Sequence, residues 1–256
     1  GTYNLYLIAS ENDDCTGGQS PLFTLLNAVT VEPDVTAPTI TEVTPVVTPD
    51  DDDTPSMTVN ASEAGTLTYA GTCGVGPCFG GTTSVVAGNN VITLPLMSEG
   101  LHSDITITLT DASTNASTPL AVTPFIVDTI DPSGGSITYP NTIVDPNVDP
   151  FGIAVTVVEG GDDIGGTGIT SKLTQRRSSV YNVGAGTCAA FSGGWTTIDT
   201  FGTSIVDGDL ESGRCYQYQL VVVDGAGNTV TYTSANSAKV VIQHQITVTA
   251  GAGGTV

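Results

Sequence analysis

The feature that most constrains this chain is an internal repeat built from paired strands. Three segments begin with a glycine, continue as an alternating strand, bend at an acidic or Asn-containing turn and leave through a second strand. They start at Gly1, Gly100 and Gly213, and their turns are Glu11–Asp13, Asp111–Asn115 and Asp224–Asn228. Recurrence of one supersecondary unit is the signature of a repeat architecture. The sequence therefore predicts serial modules of similar fold.

These modules are predicted to be all-β. Runs of about four to eight residues rich in Thr, Val and Ile are bounded by Gly, Pro, Asn and Asp, which is typical of strands. Turn clusters recur about every ten residues, as in a β-sandwich, and helical periodicity is almost absent. The clearest strands are Pro55–Asn60, Gly65–Ala70, Asn90–Leu94, Ile105–Thr110, Ile153–Val158 and Tyr216–Val223.

Two acidic junctions divide the chain. Asp34-Val-Thr-Ala-Pro38 follows the first repeat and Asp128-Thr-Ile-Asp-Pro132 follows the second. Because the chain opens and closes within strand patterns, we expect a fragment of a longer polypeptide. The expected pieces are the C-terminal hairpin of a truncated domain at 1–33, complete domains at 34–127 and 128–242, and the start of a following domain or linker strand at 243–256.

At these residues the chain resembles the bacterial immunoglobulin-like repeats of large surface adhesins and of extracellular stalk or filament proteins. The resemblance rests on the two junctions and on Asp224-Gly-Ala-Gly-Asn228, and it extends over most of the chain. The middle repeat departs from it, because its turn Asp111-Ala-Ser-Thr-Asn115 lacks the glycines. The resemblance implies tandem immunoglobulin-like β-sandwich domains whose partners are neighbouring domains of the same chain and other copies in a filament.

The charge balance excludes several function classes. Asp and Glu number 26 against five Lys and Arg, and the net charge is −21. Nucleic-acid binding needs Lys and Arg for phosphate contacts, and an anionic membrane surface would repel the chain. No run of about 18 apolar residues exists, so we expect no direct membrane insertion. No nucleophile, base and orienting group stand at a recognisable spacing, and we therefore predict no enzyme.

The acidic residues are expected to converge at the junctions. In a sandwich with strands A to G, the B–C and F–G loops lie at the upstream end of a domain and the A–B loop at the downstream end. Like charges about 4 Å apart in water repel by about 1 kcal/mol, and Ca²⁺ relieves this because it takes six to eight oxygen ligands. The predicted Ca²⁺ ligands are Asp51, Asp53, Asp128, Asp131, Asp162, Asp163, Asp224 and Asn228 at the second junction, and Asp34 and Asp111 at the first.

The turn Asp224–Asn228 has a simpler interpretation as well. Asp, Gly and Asn are the commonest turn residues whatever they bind, and an Asp-Gly pair between strands is itself a hairpin signal. If the turn binds a cation, Gly225 and Gly227 would let the backbone direct its carbonyl oxygens inward.

Five cysteines indicate the disulfides of a secreted or cell-surface protein. We expect Cys188 to pair with Cys215, closing a loop worth about 3–4 kcal/mol on the chain-entropy model. We also expect Cys73 to pair with Cys78, the alternative being two free thiols or half a metal site. Cys15 is left without an expected partner.

Two other functions compete with a structural role. A carbohydrate-binding module would use Trp195 with Tyr181 as an aromatic platform, although a lone Trp more often packs in a core. A filament subunit could exchange strands through the pieces 1–33 and 243–256. Lys172, Arg176 and Arg177 could dock an acidic pole of a neighbour or form a solvated strand face.

Overall fold

The computed structural model describes residues 2–7, 23–30, 32–74, 78–144, 152–200 and 202–240, with the backbone only at 2–7, 23–30 and 144. Within these residues the chain is all-β, as predicted. The described part contains no helix with the length and apolar character needed to cross a membrane. Some predictions fall outside the described residues: those on Cys15, on the turn Glu11–Asp13 and on the piece 243–256. The predicted strand exchange through 1–33 and 243–256 therefore falls partly outside them as well.

The strands are named in chain order. The first eleven are β1 Thr2–Leu7, β2 Phe23–Thr30, β3 Ile40–Thr44, β4 Ser56–Ala61, β5 Gly65–Ala70, β6 Ser84–Val85, β7 Gly88–Thr93, β8 Gly100–His102, β9 Thr106–Thr110, β10 Leu120–Ala121 and β11 Phe125–Val127. The next ten are β12 Ser136–Thr138, β13 Ile143–Val144, β14 Ile153–Val158, β15 Ile169–Asn182, β16 Thr187–Cys188, β17 Thr196–Thr200, β18 Ser204–Asp207, β19 Arg214–Asp224, β20 Thr229–Thr233 and β21 Ala238–Val240.

The first core lies between residues 40 and 127. Its sheets have the orders β3-β4-β7, β10-β9-β5-β6 and β11-β8. In β4 the alternation places Met57, Val59 and Ala61 inward, and β9 contributes Ile107 and Leu109. These side chains belong to one buried apolar cluster. The period-two pattern is what allows one face of each strand to bury while the other meets water.

The second core lies between residues 137 and 240 and forms a separate cluster. One sheet has the order β12-β14-β18, and the other runs β13-β21-β19-β15-β16, with β17 paired to β15 and β20 paired to β19. Every second residue of β19 from Tyr216 to Val222 is buried. Several sheets enclosing apolar faces are consistent with the β-sandwich class. The strands predicted at Gly65–Ala70 and Ile153–Val158 coincide with β5 and β14.

Both predicted disulfides are present. Cys188 and Cys215 join β16 to β19 with Cα atoms 5.9 Å apart. Cys73 and Cys78 close a short loop with Cα atoms 5.1 Å apart. The alternatives of free thiols or a half metal site therefore do not apply to Cys73 and Cys78.

The loop that holds Cys73 is fastened by a buried histidine. His102 is 4% exposed and stacks on Phe125. Its Nδ1 lies 3.0 Å from the carbonyl oxygen of Thr72, and its Nε2 lies 2.8 Å from that of Ser98. The imidazole thus spans two loops at the end of the first core.

Replacing this ring should destabilise the first core. His102→Leu removes both contacts and leaves at least one carbonyl oxygen without its donor, which we expect to lower the free energy of unfolding by about 1–3 kcal/mol. Urea unfolding measures the change. Leu101→Thr, at the exposed neighbouring position in β8, is the control and should change stability by less than about 0.5 kcal/mol. Equal effects of the two variants would show that the ring does not fasten the loops.

The stability of the loop that holds Thr72 should depend on pH through the carboxylate of Asp104. The Thr72 hydroxyl donates to Asp104 Oδ2 at 2.7 Å and the Thr72 amide donates to both carboxylate oxygens. These hydrogen bonds lower the pKa of Asp104 below its ordinary value, and the bond from the Thr72 hydroxyl has the largest effect. These bonds contribute fully to the free energy of unfolding above about pH 3.9, the pKa of an unfolded aspartate. The contribution is lost as the pH falls through the pKa of Asp104 in the folded state.

Thr72→Val should therefore raise the pKa of Asp104 towards its ordinary value while the amide contact holds it below that value. Carboxyl-carbon NMR titration over about pH 2–6 follows the group directly. Asp111, whose pKa is lowered chiefly by a hydrogen bond from Asn115, is the internal control and should not move. An unchanged Asp104 titration in the variant would contradict the assignment.

Candidate metal centre

The turn Asp224–Asn228 is organised by the carboxylate of its first residue. Asp224 Oδ1 accepts hydrogen bonds from the backbone amides of Ala226, Gly227 and Asn228 at 2.8–2.9 Å. Asp224 Oδ2 accepts one from Asn228 Nδ2 at 2.9 Å, and Asp224 is only 2% exposed. The amide hydrogens point inward, because a buried carboxylate needs donors.

Asn228 also ties the turn to the second junction. Its Nδ2 donates to the carbonyl oxygen of Asp128 at 2.7 Å. Asp128 is fully buried, and its Oδ2 accepts from the Thr167 amide at 2.7 Å and the Thr167 hydroxyl at 2.6 Å. Thr167 Oγ1 in turn accepts from the Ala226 amide at 3.0 Å. A closed set of hydrogen bonds thus joins the junction, the β14–β15 loop and the turn.

The closeness of Thr167 explains one of the two glycines. A Cβ on Gly225 would lie 2.9 Å from Thr167 Cβ and 3.0 Å from its Oγ1. Gly227 has a different reason, since its φ is +104°, a conformation that side chains disfavour. The glycines therefore permit close approach and the bend.

Three carboxylates meet at this point. Asp128, Asp162 and Asp224 each offer an oxygen, and the three oxygens lie within 4.8 Å of one another. Asp162 is held by the amides of Asp163 and Gly168. Two oxygens on the same Ca²⁺ cannot be more than about 5 Å apart, because each lies about 2.3–2.6 Å from the ion. The spacing and the hard oxygen donors would allow these residues to hold a metal cation.

Asp163 adds an oxygen without a donor. Its Oδ1 is buried and has no hydrogen-bond partner among the described residues. Burial raises the pKa of this carboxyl, and the charges of Asp128 and Asp162, together with that of Glu99, raise it further. A buried carboxylate oxygen that lacks a proton donor beside other carboxylates is the arrangement that a cation would relieve.

Other predicted ligands lie elsewhere. The loop Asp50–Asp53 does run beside the junction, where the Asp50 amide donates to Ile126 and its carbonyl accepts from the Asp128 amide. Asp51 and Asp53 are exposed and belong to neither acidic cluster, and Asp131 is exposed outside both. Asp50 and Asp52 instead accept from amides two residues ahead, as loop aspartates commonly do.

The first junction repeats the geometry of the second. Asn115 Nδ2 donates to Asp111 Oδ2 at 2.8 Å and to the carbonyl oxygen of Asp34 at 3.1 Å. Asn115 N donates to Asp111 Oδ1 at 2.8 Å. Asp34 and Asp111 form a second acidic group with Glu63, again within 4.8 Å. The Asp–Asn turn therefore fastens to the preceding junction in the same way twice.

Two residues of these groups were missed by the sequence prediction. Glu63 follows β4, and Asp162 and Asp163 follow β14, the corresponding strand of the second core. Applying the B–C loop prediction to the middle repeat would therefore have identified Glu63. Thr167 stands within Gly165-Gly-Thr-Gly168 and carries no recognisable signal, because only the folding of the β14–β15 loop brings it to Asp128.

The aromatic residues predicted to bind sugar do not form a shared platform. Tyr181 is buried at 8% exposure. Trp195 is half-buried, and the guanidinium of Arg177 lies over its ring at 4.5 Å from the centroid.

Comparison with known proteins gives little further information. No protein-family model matches the chain, and no curated protein matches it in sequence. Among solved structures, one similar chain comes from a cytokine receptor complex, with 14% identity, 78% of this chain and 91% of that chain covered, and a TM-score of 0.26. A superposition this loose carries no argument about arrangement or function.

The two turns supply a matched test of backbone strain. Thr114 occupies the place of Gly227 and also has positive φ, +72°, which costs a β-branched residue about 1–2 kcal/mol. Thr114→Gly should raise the free energy of unfolding by about 0.5–1 kcal/mol after the entropy of the added glycine. Gly227→Thr should lower it by about 1–2 kcal/mol. Thermal unfolding measures both, and the same sign for both would refute the shared geometry.

Proposed function

We propose that the chain is structural rather than catalytic: tandem immunoglobulin-like domains of an extracellular stalk, adhesin or filament, with junctions made rigid by Ca²⁺. In this proposal residues 34–127 and 128–242 are successive domains. Their partners are the neighbouring domains of the same chain. The ion acts by removing hinge freedom, so that the modules keep a fixed direction.

The observation that carries the proposal is the repeated attachment of a turn to the junction before it. Asn115 and Asn228 each bind an aspartate carboxylate of their own turn and the carbonyl oxygen of a junction aspartate. A contact made the same way at two junctions is what a serial array of modules needs, because each module must meet its predecessor at a defined angle.

The second junction is also held from its upstream side. Glu99 accepts from the Thr129 amide at 3.0 Å and from the Thr129 hydroxyl, and the backbone of Asp50 pairs with Ile126 and Asp128. Residues from both cores therefore grip Asp128 and Thr129. Such bracing supports a stiff linker over a hinge.

Calcium is supported by donor chemistry. Asp128, Asp162 and Asp224 would hold the ion at the second junction, with the buried Asp163 oxygen beside them. The ion would supply positive charge beside three clustered carboxylates and beside the one Asp163 oxygen that has no donor among the described residues. The two disulfides are compatible with a secreted or cell-surface location.

Calcium removal should lower stability and loosen the junction. At a Ca²⁺ concentration about 100 times its Kd, binding to the folded state alone adds about 2.7 kcal/mol to the free energy of unfolding. Calorimetry with Ca²⁺ and with chelator measures this, and small-angle scattering should show a wider range of inter-domain distances after chelation. Identical melting and scattering curves in both conditions would refute the calcium proposal.

A pair of aspartate variants locates the ion. Asp162→Asn removes one of the three clustered charges and should raise the Kd for Ca²⁺ about tenfold or more, since binding depends on the charge of the ligands. Asp131→Asn makes the same chemical change at a junction residue outside the cluster and should leave the Kd within about twofold. Titration calorimetry distinguishes them, and equal effects would show non-specific screening.

A further inference from the structure

The few cations of this chain are not spread evenly. None of the five Lys and Arg residues precedes Lys172. Three of them, Arg176, Arg177 and Arg214, line a single groove of about 240 Å³. In a protein of net charge −21, grouping most of the positive charge in one place is an electrostatic cost that a binding site would explain.

The groove is lined by residues of β15, β17 and β19 and by the loop between β18 and β19. Strand β17 pairs with β15, and β18 pairs with β14 in the other sheet. A second depression of about 300 Å³ shares Arg176, Thr196 and Asp209 with the first and is also lined by β17 and β18 residues. The two depressions therefore share part of their walls, and the first is lined mainly by polar side chains.

Two of the three arginines already have carboxylate partners. Arg176 Nη1 contacts both oxygens of Asp207, which is 6% exposed and also accepts from the Tyr218 hydroxyl. Arg214 pairs with Glu211 at 3.2 Å. These pairs shape the groove, and their charges are balanced within the protein.

Arg177 differs, because no carboxylate of the described residues pairs with it. Its Nε and Nη2 donate to Gln217 Oε1, at 3.1 and 2.8 Å, while its guanidinium lies over the rings of Phe191 and Trp195. Its Nη1 has no hydrogen-bond acceptor among the described residues. A guanidinium fixed by its neighbours, with one edge still able to donate, is arranged to bind a planar anion.

The rest of the groove limits what that anion can be. A polyanion would be repelled by the whole chain, so the charge should be single and local. Asp209 pairs with Arg176 and Glu211 with Arg214, and both carboxylates remain exposed. Carboxylates accept hydrogen bonds from hydroxyl groups. Ser178 and Thr196 offer hydroxyls of their own. The groove thus offers hydrogen-bond donors for one carboxylate and, beside them, acceptors for several hydroxyl groups. This combination matches the groups of a sugar acid.

We propose that this groove binds a saccharide that carries an isolated carboxylate, with the carboxylate on Arg177 and the sugar hydroxyls on Asp209 and Glu211. Trp195 acts by holding Arg177 in place. The site is separate from the junction acids, so it does not depend on calcium. It would give a module of a surface structure a lateral contact with glycans.

Trp195 is the only tryptophan of the chain, and its ring lies against the guanidinium of Arg177, so its fluorescence reports the surroundings of Arg177. At constant ionic strength, sodium glucuronate, galacturonate and N-acetylneuraminate are titrated beside glucose, heparin and an Asp-rich peptide. We expect a saturable change with at least one sugar acid and binding of glucose about tenfold weaker or more, because glucose lacks the charged acceptor. Absence of a response to all three sugar acids would overturn the proposal, and tighter binding of the peptide or of heparin would do so too.

Variants of equal charge change test the assigned residue. Arg177→Gln should weaken sugar-acid binding about tenfold or more. Lys239→Gln, whose ammonium contacts the carbonyl oxygen of Ser237 and does not line the groove, should alter it less than about twofold. Arg177→Lys keeps the charge without the fork and should bind with intermediate affinity. Near-UV circular dichroism checks the fold, and unchanged affinity in both Arg177 variants would overturn the assignment.

Discussion

The hydrogen bonds around one buried carboxylate, that of Asp224, determine the shape of its turn and the contact of the turn with Asp128. Asp224 is removed from water, so it must find donors, and it takes three amides of its own turn and the side chain of Asn228. Once Asn228 is held, its amide reaches the carbonyl oxygen of Asp128. Bend, side-chain orientation and contact with the junction therefore follow from satisfying one acid. Asp111 and Asn115 repeat the solution with Thr in place of a glycine.

Much of the fold could be predicted because its cause is local. Alternation in Gly65–Ala70 and Ile153–Val158 sets which side chains turn inward, and no distant residue is needed to recognise it. Pairing of Cys188 with Cys215 was also predictable. The direction of the amides around Asp224 was not, because it depends on burial of that carboxylate. The contact of Thr167 with Asp128, 39 residues away, depends on the path of a loop that periodicity does not describe.

Charge is used differently in the two cores. Residues before Lys172 hold no Lys or Arg, so carboxylates such as Asp111 and Asp104 rely on hydroxyl, amide and backbone donors. In the second core, Lys172 pairs with Glu159, and Arg176 with Asp207. Arg177 instead lies against aromatic rings. This contrast distinguishes the clusters of carboxylates at the junctions from the groove of the second core, where carboxylates pair with guanidinium groups.

The ends of each core are joined in a way that matters under tension. In the second core, β13 runs parallel to β21, with Ile143 opposite Lys239. In the first, Asp50 makes a parallel bridge to Val127. When neighbouring strands near opposite ends of a domain are parallel, pulling those ends slides one strand along the other. The bonds between them are then loaded together in shear and do not open one after another, as in a zipper.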